Sequence, residues 1–290
     1  MGTFSRYKKY FIKRRKQKYK SNSKFIKMYS VIIPSLGRIK FLNELLESIY
    51  QQTFLPEEII IILENTKECR DIEQLINKKF NIRVIFTDNL KTPQKRNLGT
   101  KIASSEYIIF SDDDDIWENN KAELTMNSLK SVQVVCHAHS KFSFDVKKFK
   151  YNLGKIKKQV SLITLIYGDN IFGGGSGIAA KKEIFLTIPF NEDLYSEDYD
   201  WWVKVLLADI KVEYIPEALV RYRIHDKNMT SNYKKIYFYN LKLFNKILNK
   251  SFILLLTFIN GYLRIIIKLI IKLLLKNIIS LKNFFLKGKK

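Results

Sequence analysis

Cysteine is scarce in this sequence: Cys69 and Cys136 are its only two in 290 residues. No disulfide framework can be built from them, and a reducing compartment is the expected setting. Acidic residues are missing from positions 1–28, which carry Lys8, Lys9, Lys13, Arg14, Arg15, Lys16 and other cations instead. That basic stretch also lacks the apolar core and small-residue cleavage site of a secretory signal, so none is expected. No apolar run is free of charge for long enough to cross a bilayer alone: Ser251 to Leu263 falls short of the ~20 residues that crossing takes, and only snorkelling by Arg264 would extend it into a spanning or re-entrant segment. A zinc site is not expected at Cys136-His137-Ala138-His139. On a strand the two histidines would share a face with Cys136 on the other, and no second ligand pair follows.

What is present reads as a catalytic α/β domain. The formal net charge is +23, concentrated at the two ends, so an anionic membrane surface or nucleic acid is the partner class that composition suggests. Continuous apolar runs at Tyr29–Pro34, Glu58–Leu63, Ile82–Phe86 and Tyr107–Phe110 alternate with segments of helical periodicity at 41–51, up to about Lys79, and 92–103. A further helix is expected from Glu118 to Lys130 and a strand from Val132 to Ala138. Strands alternating with helices imply a parallel, doubly wound sheet, and such sheets bind ligands beyond the carboxyl ends of their strands. Polar residues stand at each of those ends: Ser35 and Arg38 just after Pro34, itself a candidate contact, then Glu64 and Asn65, Asp88, and the run Asp112–Asp115. Four adjacent carboxylates repel one another unless a cation sits among them. A divalent metal holding a phosphorylated substrate satisfies that need, and hard oxygen ligands suit Mg²⁺ or Mn²⁺. A solvated acidic loop or a helix start is the plainer alternative.

The stretches SVIIPSLGR, EEIIIILENT and TPQKRNLGTKIASSEYIIFSDDDDIW resemble the nucleotide-sugar half of family 2 glycosyltransferases. The likeness runs over roughly residues 29–230, and the domain it implies, 29–232, divides at about 130 into a nucleotide-sugar half and an acceptor half. Arg96, Asn97 and Gly99 match the family's Ala-Arg-Asn-x-Gly helix, and Asp112, Asp114 and Asp115 match its Asp-x-Asp-Asp-x-Trp loop. Lys95 stands where a small residue is common, and Glu64-Asn65 replaces the usual paired aspartates. The resemblance implies a GT-A type, Rossmann-like, mostly parallel sheet flanked by helices, and inverting transfer from a nucleotide sugar. It further implies a metal held by Asp112 and Asp114, with His225 of Tyr222-Arg223-Ile224-His225 near the metal or diphosphate. Asp113 is then a candidate for the ribose, Glu64 for the base and Lys91 for a nucleotide contact, with Arg96 and Asn97 beside them. In Ser196-Glu197-Asp198-Tyr199-Asp200 the resemblance makes Asp198 the general base, with Glu197 or Asp200 sharing the acceptor site. The turn Phe172–Gly177 borders the acceptor in that family.

Beyond 232 the chain is dominated by Leu, Ile and Phe, interrupted by Arg264, Lys268, Lys272, Lys276, Lys282 and Lys287. At helical spacing these cations fall within an arc of roughly 140°, which describes amphipathic helices lying in the headgroup plane. With the basic arm this predicts peripheral attachment to anionic lipid on the cytoplasmic face of a bacterial inner membrane. The expected acceptor is accordingly a surface glycan: lipopolysaccharide, capsule or a lipid-linked oligosaccharide. Two other readings compete, a nucleotidyltransferase sharing the sheet and metal site, and a non-catalytic basic protein binding membrane or nucleic acid. The acidic helix start at Glu197 argues against the first, and aspartates at the sheet edge would repel nucleic acid.

Overall fold

The computed structural model describes residues 28–70, 80–143, 146–151, 174–194 and 196–225, with isolated positions between and beyond them. The basic arm, most of the stretch leading to Lys79, Phe172, Gly173 and nearly all of 229–290, including the expected amphipathic helices, lie outside the described residues.

The strands are β1 (Tyr29–Pro34), β2 (Glu58–Glu64), β3 (Ile82–Thr87), β4 (Tyr107–Phe110), β5 (Ile116–Trp117), β6 (Val134–Ser143), β7 (Val146–Tyr151), β8 (Ala179–Lys181) and β9 (Val212–Arg223). The helices are α1 (Ile39–Tyr50), α2 (Lys67–Arg70), α3 (Thr92–Ile102), α4 (Lys121–Leu129), α5 (Lys182–Thr187) and α6 (Glu197–Leu207). They build a single mixed sheet in the order β3-β2-β1-β4-β8-β6-β9-β5, with β7 paired to β6. The β3-β2-β1-β4 half is parallel throughout. Beyond it β8 is antiparallel to both β4 and β6, while β9 runs parallel to β6.

The inner parallel strands β1, β2 and β4 are apolar at nearly every position because both faces are covered. Ile32, Ile60, Ile62, Ile108 and Phe110 join the core beneath α3, α5 and α6. Their neighbours Val31, Ile33, Ile59, Ile61 and Ile109 join a second core beneath α1 and α4. Helix α3 lies close on β1 because Gly99 has no side chain: a Cβ there would stand 2.5 Å from Ile32 Cγ2.

Two boundaries differ from the sequence expectation. The helix expected from Glu118 starts at Lys121, because Ile116 and Trp117 pair with Arg221 and Val220 of β9. Strand β6 runs on past Ala138 to Ser143, since β9 continues the pairing as far as Phe142 and Arg223. Among the described residues no helix is long and apolar enough to cross a membrane.

Candidate active site

The carboxyl ends of β1, β2 and β4 open on one side of the sheet, and the last residues of β9 return to the same place. There the four aspartates meet four different environments. Asp113 is 1% exposed and braces the β1–α1 loop. It accepts hydrogen bonds from Ser35 Oγ at 2.5 Å and Leu36 N at 3.1 Å, and an ion pair from Arg38. Asp114 Oδ2 lies 2.6 Å from Arg38 Nη1 and 2.9 Å from His225 Nε2. Burial pushes the Asp114 carboxyl above its ordinary value, Arg38 opposes this, and Asp112 and Asp113 reinforce it. Asp115 is fully buried and accepts from Arg223 N at 3.2 Å. Its carboxyl is pushed well up by burial and by the Asp114 charge. Asp112 is the most open of the four, its side chain 28% exposed, and it pairs with Arg96 at 2.6 Å.

Arg96 joins the two halves of the site. Its guanidinium is buried against the Phe110 and Phe190 rings, and its other terminal nitrogen donates to Glu197 Oε1 at 2.5 Å. Helix α6 begins at Glu197, so acidic side chains stand where the positive end of its dipole favours them. Burial lifts the Glu197 carboxyl to about 7, with Arg96 opposing and Asp198 adding to the rise. Asp198 is half-buried, accepts the Tyr199 N–H at 2.8 Å, and is raised by burial against the pull of Arg96. Asp200 faces elsewhere, 2.6 Å from Lys204 one turn on. The glycine turn presses on this bridge: a Cβ at Gly175 would lie 2.0 Å from Arg96 Nη2 and 2.6 Å from Asp112 Oδ1.

Not every residue singled out by the sequence reaches the opening. Asn97 is committed to the chain around Phe190, donating to Phe190 O at 2.9 Å and Glu192 Oε1 at 3.0 Å while accepting from Phe190 N at 3.0 Å. Lys91 is the exposed N-cap of α3, its N–H donating to Gln94 Oε1 at 2.9 Å. Pro34 ends β1 inside the sheet, opposite Ile62. Glu64, by contrast, is partly exposed at the end of β2, its side chain 22% open, and bonds to Lys95 Nζ at 2.5 Å and to Asn89 N at 3.1 Å.

Two contributors were not identified from sequence, Lys95 and Lys121, and two more, Arg223 and Ser176, stood there only within the His225 ending and the glycine turn. The only signal of Lys95 was its departure from the family pattern. Arg223 is 0% exposed and holds the aspartate loop through Asp114 O at 2.8 Å and α1 through Glu44 at 2.5 Å. Ser176 Oγ accepts from Asp112 N at 2.8 Å, and its carbonyl accepts from the buried Lys121 Nζ at 2.9 Å. Lys121 also contacts His137 Nε2 at 3.1 Å and the Trp117 ring at 4.3 Å. His137, on β6, is thereby occupied by Lys121.

The donor set suits a hard divalent cation in part. Asp114 Oδ2 and His225 Nε2 are 2.9 Å apart, close to the ~3 Å edge of an octahedron with bonds near 2.1 Å. Arg38 occupies the remaining side of this pair and supplies the local positive charge. Among the described residues no three His, Cys, Asp or Glu groups stand in a metal-binding arrangement.

A parallel half-sheet with charged strand ends, closed by a mixed half whose last strand returns to an acidic loop, is the GT-A glycosyltransferase architecture. S. aureus TarS 1–349 in complex with UDP-GlcNAc shares it at TM-score 0.61 and 21% identity, over 77% of this chain and 67% of that one. So does a mannosyltransferase from Pyrobaculum calidifontis in complex with GDP-Man and Mn²⁺, at TM-score 0.58 and 13% identity, over 83% and 71% of the two chains. The chain belongs to glycosyl transferase family 2, whose family model matches residues 30–188, over half its length. An uncharacterized glycosyltransferase of Haemophilus influenzae is 32% identical over 207 residues, 69% of either chain. The Escherichia coli UDP-Gal:alpha-D-GlcNAc-diphosphoundecaprenol beta-1,3-galactosyltransferase is 26% identical over 192 residues, 63% of this chain and 68% of that one.

Proposed function

We propose that this glycosyltransferase moves a sugar, with inversion, from a nucleotide-diphosphate donor of the UDP-sugar type to a hydroxyl of a bacterial surface-glycan acceptor. The observation that carries the reading is the Arg96 guanidinium, which ties Asp112 of the aspartate loop to Glu197 at the start of α6. Donor side and acceptor side meet across one buried cation. Asp198, next along α6, takes the proton of the acceptor hydroxyl. The oxygen then attacks the anomeric carbon, and the bond to the diphosphate breaks with its electrons on the departing nucleoside diphosphate. A sugar hydroxyl is a weak nucleophile, and a positioned carboxylate base typically contributes ~10²–10⁴-fold. Asp114 and His225 would hold Mn²⁺ or Mg²⁺, with Asp112 the further carboxylate of the loop. When bound, that ion neutralises charge on the leaving diphosphate. Arg38 faces the same opening, and Asp113 fixes it together with the buried Ser35.

The donors carried by the structural neighbours, UDP-GlcNAc and GDP-Man, support a nucleotide sugar, and the E. coli relative supports a lipid-linked acceptor. Attachment to anionic lipid through the cationic, apolar C-terminal segment and the basic arm brings such an acceptor within reach on the cytoplasmic face. Flotation with anionic liposomes should be lost when the chain is ended near Asn249, and equal flotation would remove the anchor.

The function itself is tested by a nucleotide-sugar panel with Mn²⁺, scoring release of nucleoside diphosphate. Asp114→Asn should abolish turnover with the fold intact. Asp198→Asn should keep donor binding and lose ~10²–10⁴-fold in turnover. Undiminished turnover in Asp114→Asn would overturn the metal role, and in Asp198→Asn the base.

A further inference from the structure

We propose that Lys95 is a specificity-determining positioning residue: acting through Glu64, it governs which nucleobase the donor site accepts. The inference rests on the donor-site reading above and extends it to the base.

Lys95 is 1% exposed, in the second turn of α3, whose first turn holds no acidic residue. A cation near a helix N-terminus works against the dipole, and a buried ion pair is often no more stabilising than apolar side chains of equal volume. Packing and stability therefore give weak reasons for an ammonium here. Its contacts give a better one. The Nζ group donates to Glu64 Oε1 at 2.5 Å and to the Ser35 carbonyl at 2.7 Å, tying the ends of β2 and β1 to one point. Glu64 is the member of the pair that meets solvent, at 22% exposure, and its Oε2 accepts from Asn89 N at 3.1 Å. Ser35 in turn donates through Oγ to Asp113 at 2.5 Å. One hydrogen-bonded line thus runs along the strand ends from Glu64, through Lys95 and Ser35, to the aspartate loop.

An ionised carboxylate only accepts hydrogen bonds. Held in a fixed direction, it favours a base whose ring N–H points outward, as in uracil and guanine, over cytosine and adenine, whose ring nitrogens accept. Released from Lys95, the same carboxylate can turn, and the preference weakens. The two residues are also the two places where the sequence departs from the family pattern, Lys95 for a small residue and Glu64-Asn65 for paired aspartates. They are bonded directly to each other.

The test measures binding of UDP, GDP, CDP and ADP by calorimetry in Mn²⁺, with inorganic pyrophosphate as a base-free probe. The wild-type protein should separate the four nucleotides by about tenfold or more, the scale of one charged hydrogen bond. Lys95→Met should compress that spread to about threefold while pyrophosphate affinity stays within about twofold. The double variant Glu64→Gln/Lys95→Met, which leaves no unpaired charge, should show the same compression and a cooperative thermal transition. A spread that survives Lys95→Met, a wild-type protein that does not discriminate, or a pyrophosphate affinity that falls with the nucleotides would overturn the proposal. A folded wild-type protein that binds none of the five probes would instead overturn the donor-site reading itself.

Discussion

Alanine at Gly175 would push a methyl group to within 2.0 Å of Arg96 Nη2, directly into the ion pair that joins the aspartate loop to α6. Parting that pair misplaces reacting groups on both sides. Gly175→Ala is expected to lower donor turnover on the order of 10²-fold, with the thermal transition still cooperative. Gly174 is the control: its φ of +59° and ψ of −151° are a backbone conformation kept almost wholly to glycine, but a Cβ there meets nothing within 4 Å. Gly174→Ala should cost about 1–3 kcal/mol in stability and keep the Arg96 bridge, so the two variants separate strain from chemistry. Arg38 gives a second residue-scale expectation. It is the cation bound to both Asp113 and Asp114, so Arg38→Met leaves two buried carboxylates facing each other. Its melting temperature should drop in chelator and recover with Mn²⁺ by more than that of the wild type. Equal metal-induced shifts in the two proteins would contradict the placement of Arg38 as the local counter-charge.

Helix α3 carries both cations that organise the site, Lys95 towards β2 and Arg96 towards α6. Its depth on β1 is set by Gly99, and Gly99→Ala must displace Ile32 or lift the helix. Overpacking of this kind costs about 1–3 kcal/mol, readable as a lower urea midpoint, and the lifted helix should weaken donor binding at both ends of the pocket. Elements of this type were legible in the sequence because their determinants are local. A strand covered on both faces is apolar throughout, and a helix against it repeats apolar residues at helical spacing. Polar side chains at each strand end marked where the parallel sheet opens. Strand β5 was not legible, since Ile116-Trp117 is only two residues long and is a strand solely because Val220 and Arg221 lie opposite. The far end of β6 was hidden for the same reason.

At the scale of the molecule, what the sequence concealed was pairing over distance. Lys95 and Glu64 are 31 residues apart, Arg96 and Glu197 101, and Arg223 and Asp114 109; no local pattern announces such partners. The same long-range burial sets how the whole fold responds to pH. Folding carries two groups to about 7 from opposite sides: Glu197 up from its ordinary 4.5, and Lys121 down from 10.5, each chiefly through burial. Between 4.5 and about 7 the folded chain holds the Glu197 proton more tightly than the unfolded one. Stability from that group therefore falls as pH rises through the window. Between about 7 and 10.5 the unfolded chain holds the Lys121 proton more tightly, so stability from Lys121 increases with pH there. Urea midpoints followed from about pH 5 to about pH 10 should show each slope in its own range. Glu197→Gln should lessen the acidic slope, to which the raised Asp114, Asp115 and Asp198 also contribute, and leave the alkaline one, and Lys121→Met should do the reverse. Slopes unchanged by either substitution would mean that the two groups keep their ordinary affinities for protons inside the fold, against the burial that defines this site.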